Sequence, residues 1–177
     1  MAAYNAIAVP QITASKETIM ATKSIPDGYH SVTPYLIIKG AADGIEFYKR
    51  VFGATELMRM AGPDGRIGHA EIKIGDSAVM LADEHPEMGY RSPQSLGGTA
   101  VSMMLYVDRV DEVFKRAIET GAKELRPVED QFYGDRSGTL NDPFGHTWTI
   151  ATHMEDIPPE EMRKRAEKFM QKQKANA

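Results

Sequence analysis

His69 and Glu71 stand two apart in Gly68-His69-Ala70-Glu71, inside a run from Ile67 to Ile74 that reads as a β-strand. Side chains two apart on a strand share a face. An imidazole beside a carboxylate on one face can act as a general acid/base pair, because histidine changes charge near neutral pH and the carboxylate stabilises the imidazolium. The same two donors could also serve as an unusual pair of metal ligands. The plainer alternative is a structural polar pair, or a cross-strand ion pair with a neighbour such as Arg59.

A second group is Phe132-Tyr133-Gly134-Asp135-Arg136. Its aromatic rings, beside a flexible glycine, could form a lid that stacks on a ligand while Arg136 anchors a carboxylate or carbonyl. The competing reading is an ion pair from Arg136 to Asp135 or Asp142 that holds the turn. His146 shares its parity with Trp148 and Ile150, which directs it toward packed helices and a structural role. His85, in a connection, and His153, past the expected last strand, read as solvated. Gly97-Gly98 lacks the Lys-Ser/Thr sequel of a nucleotide-binding loop, and no serine sits in a nucleophile-elbow pattern. With no cysteine, thiol nucleophiles, disulfides and cysteine-bearing metal sites are excluded.

The elements that position these residues come as a duplication. Gly53-Ala54-Thr55-Glu56-Leu57 returns 68 residues later as Gly121-Ala122-Lys123-Glu124-Leu125. Phe47-Tyr48-Lys49-Arg50 precedes the first copy and Phe114-Lys115-Arg116 the second, each after an apolar strand. A period this long exceeds the roughly 20 to 50 residues of solenoid repeats. It indicates one supersecondary module used twice, with a site expected where the copies face each other. Alternation and turn signals predict strand 31–38, helix 41–52 capped by Gly53, and strands 55–60, 67–74 and 77–82. A Pro/Gly/Ser-rich connection, 84–98, leads to strand 99–107, helix 110–120 and strands 123–128, 135–141 and 146–152. The expected domain spans 26–154, with modules at about 31–83 and 99–152. Residues 1–25 read as a flexible tail, and 155–177 as a C-terminal helix and tail whose acidic start and basic end complement the helix dipole. That helix is expected to pack on the body or on a partner copy.

The net charge is −4, from 21 Lys and Arg against 25 Asp and Glu, with no long basic run. Nucleic acid and polybasic membrane roles therefore have little electrostatic support. No apolar run approaches the ~18 residues that span a bilayer, and no basic start leads into an apolar block. A cytoplasmic protein is the expectation.

Two βαβββ modules, with Phe47-Tyr48-Lys49-Arg50-Val51-Phe52-Gly53-Ala54 in the first and Asn141-Asp142-Pro143-Phe144-Gly145-His146 in the second, resemble the vicinal oxygen chelate superfamily. That superfamily includes glyoxalases, bleomycin-resistance proteins and extradiol dioxygenases. Gly68-His69-Ala70-Glu71, Leu81-Ala82-Asp83-Glu84 and Asp130-Gln131-Phe132-Tyr133-Gly134-Asp135-Arg136 resemble its PhnB-like branch. The resemblance implies an α+β fold whose two curved sheets enclose a ligand cavity, usually in a homodimer. In metal-dependent members one ligand lies on the first and one on the last strand of each module, and the corresponding positions here are Thr33, Met80, Ser102 and Thr149. A thioether and three hydroxyls bring neither charge nor imidazole, so no metal and no cofactor is expected at that set. The implied cavity face then carries Ser31, Thr33, Tyr35 and Ile37, with Met80, then Ser102, Met104 and Tyr106, and Thr147 and Thr149. Phe132, Tyr133 and Arg136 complete the candidate ligand contacts. This mixture of Met, Tyr and hydroxyls suits a small hydrophobic or aromatic molecule held without a metal, for sequestration or carriage. The alternative is an isomerase, lyase or dioxygenase in which His69 and Glu71 act as acid/base pair or displaced metal ligands.

Overall fold

Each half of the chain spends its apolar residues twice, on one face of a sheet and on one stripe of a helix. The structure, a computed structural model, describes residues 22–175; residues 1–21, which hold most of the expected tail, lie outside the described residues. The first half contains β1 (Tyr35–Ile38), α1 (Ala41–Phe52), β2 (Thr55–Ala61), β3 (Ile67–Ile74) and β4 (Ser77–Asp83). A 3-10 turn, Pro86–Met88, and the short helix α2 (Pro93–Leu96) occupy the connection. The second half contains β5 (Ser102–Tyr106), α3 (Val110–Glu119), β6 (Lys123–Asp130), β7 (Asp135–Asn141) and β8 (Thr147–His153), and α4 (Pro159–Ala175) follows.

The two sheets have the same topology, β1-β4-β3-β2 and β5-β8-β7-β6, with a parallel pair at one side and antiparallel pairs elsewhere. Two expected strands start later than alternation suggests. Pro34 has no N–H to give a ladder, and Thr33 turns its hydroxyl back to the His30 carbonyl, so β1 begins at Tyr35. Thr99 bonds locally to Val101, so β5 begins at Ser102. His153 is the last residue of β8 rather than a residue beyond it, because it still pairs with Asp135.

Both modules start their helix in the same way. Asp83, ending β4, accepts from the Gly40 and Ala41 N–H groups, each at 2.9 Å; Thr152, near the end of β8, accepts from Val110 N–H at 3.0 Å. At the other end of α1, Gly53 takes the left-handed conformation, φ 68°.

The helices meet in the middle. Leu36, Ile38, Ile45, Val51, Ile72 and Leu81 join Leu140, Trp148 and Ile150 in one core. Tyr48 and Phe52 of α1 pack on Trp148, and the Arg116 guanidinium of α3 donates to the Val51 carbonyl. Asp142 pins this junction from a buried position. It accepts from Tyr48 Oη at 2.7 Å, Trp148 Nε1 at 3.0 Å, and the Phe144 and His146 N–H groups at 2.9 Å. Burial, then the nearby Asp142, pushes the Tyr48 phenol well above its usual range, so it stays a donor.

Helix α4 docks through the tilted contact of Phe169 with Phe132, with ring centroids 4.9 Å apart, and Arg165 ties it to Glu155 in the preceding segment while also pairing with Glu161 one turn back along the helix. No helix among the described residues is long and apolar enough to cross a membrane.

Candidate functional site

Because the helices pack between the modules, the other face of each sheet is left uncovered. On the first sheet, register places Met58, Glu71, Met80 and Tyr35 in one row across β2, β3, β4 and β1. The next row carries Met60, His69, Ala82 and Ile37. Met60 is 59% exposed and Tyr35 47%.

His69 and Glu71 share this face and touch: Nε2 to Oε1 is 3.1 Å. The chain of contacts continues at both ends. Tyr29 donates its hydroxyl to Glu71 Oε2, and the Tyr35 hydroxyl lies 2.9 Å from His69 Nδ1. The hydrogen bond from Tyr29, followed by that from His69, holds the Glu71 carboxyl below its usual range. It is therefore an ionised acceptor, and His69 Nε2 must carry the hydrogen between them. Arg59 takes no part: it pairs in register with Ala70, on the helix side, and bonds Glu56 and Glu46 instead. Tyr29 and the phenol of Tyr35 in this role are invisible to sequence spacing, since they lie 42 and 34 residues from their partners.

The face continues into a cavity of about 320 Å³ lined by Tyr35, Ile37, Gly68, Ala82, Asp83, His85, Met88 and Tyr90. Its outer wall is the connection after β4. His85 and Tyr90 exchange backbone hydrogen bonds at 2.8 and 3.1 Å, which closes a small loop holding Met88 over the sheet. The loop is tied down by Glu84, which accepts from Ser92 N–H at 3.0 Å and Ser95 Oγ at 2.7 Å. Those hydrogen bonds pull the Glu84 carboxyl down to about 2. The sequence reading treats this segment as a connection, so Met88 and Tyr90 are not among its site residues. The cue was a Met and a Tyr flanking Gly89 in an otherwise polar stretch.

On the second sheet the corresponding rows are Met104, Thr149 and Thr139, and Tyr106, Ala151 and Ser137. Hydroxyls dominate, and they are satisfied within the face: Thr139 and Thr149 bond each other at 3.1 Å, and Thr147 donates to the Asn141 amide oxygen at 2.9 Å. At its end the buried Asp135 accepts from Tyr106 Oη and meets His153 Nδ1, both at 2.8 Å. Asp135 and then Asp156 raise the His153 imidazole above its usual range.

Of the four positions that resemblance assigns to metal ligands, Met80 and Thr149 lie in the middle of these faces. Thr33 precedes β1, and Ser102 starts β5; the residues opposite Met80 and Thr149 are Tyr35 and Met104. The donors present, a thioether and neutral hydroxyls, do not suit a divalent ion. Among the described residues no group of three or more His, Asp or Glu is placed to share one. His69 and Glu71 are engaged with each other and with the two tyrosines.

Two of the three lid residues turn away from these faces. Phe132 packs on Phe169 of α4, whereas Tyr133 reaches the second face, 3.4 Å from Ser137 Oγ. Arg136 alternates with Asp135 and Ser137, so it points to the helix side. There it bonds Asp111 and Asp130 at 2.7 and 2.9 Å, rather than Asp135 or Asp142. Those carboxylates raise the guanidinium further above its usual range. His146 is buried, with Nδ1 unpartnered and 3.7 Å from Asp142; burial lowers its imidazole below the usual range. His85 bonds Glu87 through Nδ1 at 3.1 Å while lining the cavity.

Residues 29–150 match the model of the Glyoxalase/Bleomycin resistance protein/Dioxygenase superfamily. The uncharacterized protein Rv0887c of Mycobacterium tuberculosis is 42% identical over 136 residues, covering 75% of this chain and 80% of that protein. Among solved structures, TioX from Micromonospora sp. ML1 shares 26% identity at a TM-score of 0.55, covering 73% of this chain and all of that one. A PhnB protein from Bacillus cereus, described as a putative 3-demethylubiquinone-9 3-methyltransferase, shares 19% identity at a TM-score of 0.57, over 70% of this chain and 99% of that one. At that identity the likeness is one of fold.

Proposed function

Since the chain belongs to the glyoxalase/bleomycin resistance protein/dioxygenase superfamily, whose fold hosts several unrelated activities, we propose from its own residues that it binds a small hydrophobic or aromatic molecule without a metal. The site is the open face of the first module. One observation carries this reading: Tyr35, Ile37, Met88 and Tyr90 line a cavity of about 320 Å³ that adjoins the open face, where Met58, Met60 and Met80 stand in the rows of His69 and Glu71 and those two bond each other. Thioethers adapt to the outline of a ring and contact its edge, while the hydroxyl and imidazole edges supply orientation. Arg136 and Phe132 serve structure in this reading, and Thr149 and Thr139 belong to the opposing hydroxyl face.

The same exposure argues for a partner. Tyr35, Met58 and Met60 on one sheet and Met104 and Tyr106 on the other leave large apolar side chains in water. We assign their cover to a second copy of this chain, whose second module closes over the first module's face. Sequestration or carriage of the molecule is the activity.

The test is thermal unfolding of the full chain, stripped with chelator, against a panel of neutral aryl compounds. Stabilisation that grows with ligand concentration, by about 2.7 kcal/mol at a hundredfold excess over Kd, is expected. A requirement for added Zn²⁺, Ni²⁺ or Mn²⁺, or no stabilisation by any compound, overturns the reading.

A further inference from the structure

The four groups on the first face form a directional chain rather than a patch. Glu71 is an ionised acceptor between Tyr29 and His69, so the hydrogen on His69 lies at Nε2. A neutral His69 then has only a lone pair at Nδ1. The Tyr35 hydroxyl, 2.9 Å away, must give its proton to that lone pair, which leaves its own oxygen lone pairs free on the cavity side. Partial burial raises the Tyr35 phenol, so it keeps its proton until a base draws it off.

We propose that Tyr35, His69, Glu71 and Tyr29 form a metal-free proton relay, with Tyr35 taking a proton from a neutral aryl ketone whose carbon next to the carbonyl bears hydrogen. This rests on the binding site proposed above and adds turnover to it. The ligand C–H bond breaks, and its electron pair passes into the enolate. The proton joins Tyr35 Oη as the phenolic proton moves to His69 Nδ1. The imidazolium formed is held by Glu71 through Nε2–H. Return of the proton, to the same carbon or its conjugate, closes the cycle with no oxidant or co-reactant. Tyr35 is the catalytic residue; His69, Glu71 and Tyr29 are positioning residues.

The experiment follows exchange of carbon-bound hydrogen for deuterium in D₂O by proton NMR, using the full chain with 2-indanone, phenylacetone and 1-phenyl-1,3-butanedione. Binding is read from ligand line broadening in the same samples. Exchange of at least one probe is expected to be about 100-fold faster with the wild-type chain than with Tyr35→Phe, which keeps the ring and deletes only the hydroxyl. Glu71→Gln should slow exchange and displace its pH profile, with Glu71→Asp restoring part of the rate, a pattern that a merely structural role for Glu71 does not produce. Binding with no exchange above the Tyr35→Phe level for all three probes overturns the relay and leaves the binding site standing. Absence of both binding and exchange overturns the two together.

Discussion

The two modules share a backbone plan and differ on the face that each leaves open. Their matched registers align Leu81 with Ile150, since Leu81 opposes Leu36 and Ala70 while Ile150 opposes Leu105 and Gly138. By that alignment His69 and Glu71 correspond to Ser137 and Thr139, Met80 to Thr149, Tyr35 to Met104 and Ile37 to Tyr106. The strand positions that face the helices at the centre of each sheet, Leu36 and Leu81 in one half and Leu105 and Ile150 in the other, stay apolar, and even the helix caps, Asp83 and Thr152, are equivalent. Duplication has kept what packing requires. The uncovered faces, free of that requirement, have diverged into one of thioethers, aromatics and an acid/base pair and one of mutually bonded hydroxyls.

This contrast is sharpest at the junction. Asp142→Ala strands the Tyr48 hydroxyl, the Trp148 indole N–H and two backbone N–H groups in the core, and is expected to cost about 3 kcal/mol or more in urea unfolding. A loss below about 1 kcal/mol would mean that the modules hold together without it.

Transplanting the second face onto the first, with His69→Ser and Glu71→Thr together, is expected to do the reverse. Stability should change by less than about 1 kcal/mol, because both positions are partly solvated. Affinity for an aryl ligand should fall about tenfold, or 1.4 kcal/mol. Titration calorimetry checks it, and unchanged affinity would show that the two faces are interchangeable.

The equivalent caps allow a finer comparison. Asp83→Ala deprives three backbone N–H donors, those of Gly40, Ala41 and Ile67, of their acceptor and should cost about 2 kcal/mol; Thr152→Ala deprives one, that of Val110, together with the hydroxyl's bond to the Val107 carbonyl, and should cost about 1 kcal/mol. Equal losses in denaturant would break the parallel.

The smallest effect separates two histidines of the second module. His153, raised by Asp135 and Asp156, favours its charged form in the fold; its contribution is fully present below the unfolded value of ~6.5 and fades as pH rises through the folded one. His146, lowered by burial, does the opposite, and its contribution is lost as pH falls from ~6.5 toward its folded value. Imidazole NMR titration should place His153 above and His146 below free histidine.

Much of the fold was legible because the chain states it twice: the glycine after each helix and the flanking aromatic-basic string mark one module, and its repetition confirms the reading. Strand starts were less so, since Ser31 to Pro34 and Thr99 to Val101 look extended but satisfy their polar groups locally. The pairing of His69 with Glu71 followed from alternation alone. Alternation also excludes an Arg136 to Asp135 pair, since neighbours point to opposite faces, yet the ion pair to Asp111 needs the docking of α3 on β7 to be seen. Tyr29, Tyr35 as a hydrogen-bond partner and the Met88 wall depend on contacts between distant segments, and local sequence carries no such information.

The most direct measurement is methyl NMR of selectively labelled methionines in chelator-stripped protein during titration with an aryl ligand such as 2-indanone. Binding at the first module's face shifts Met58, Met60, Met80 and Met88 together, with or without chelator. Shifts that leave all four unmoved, or that arise only after a divalent metal is added, would contradict it.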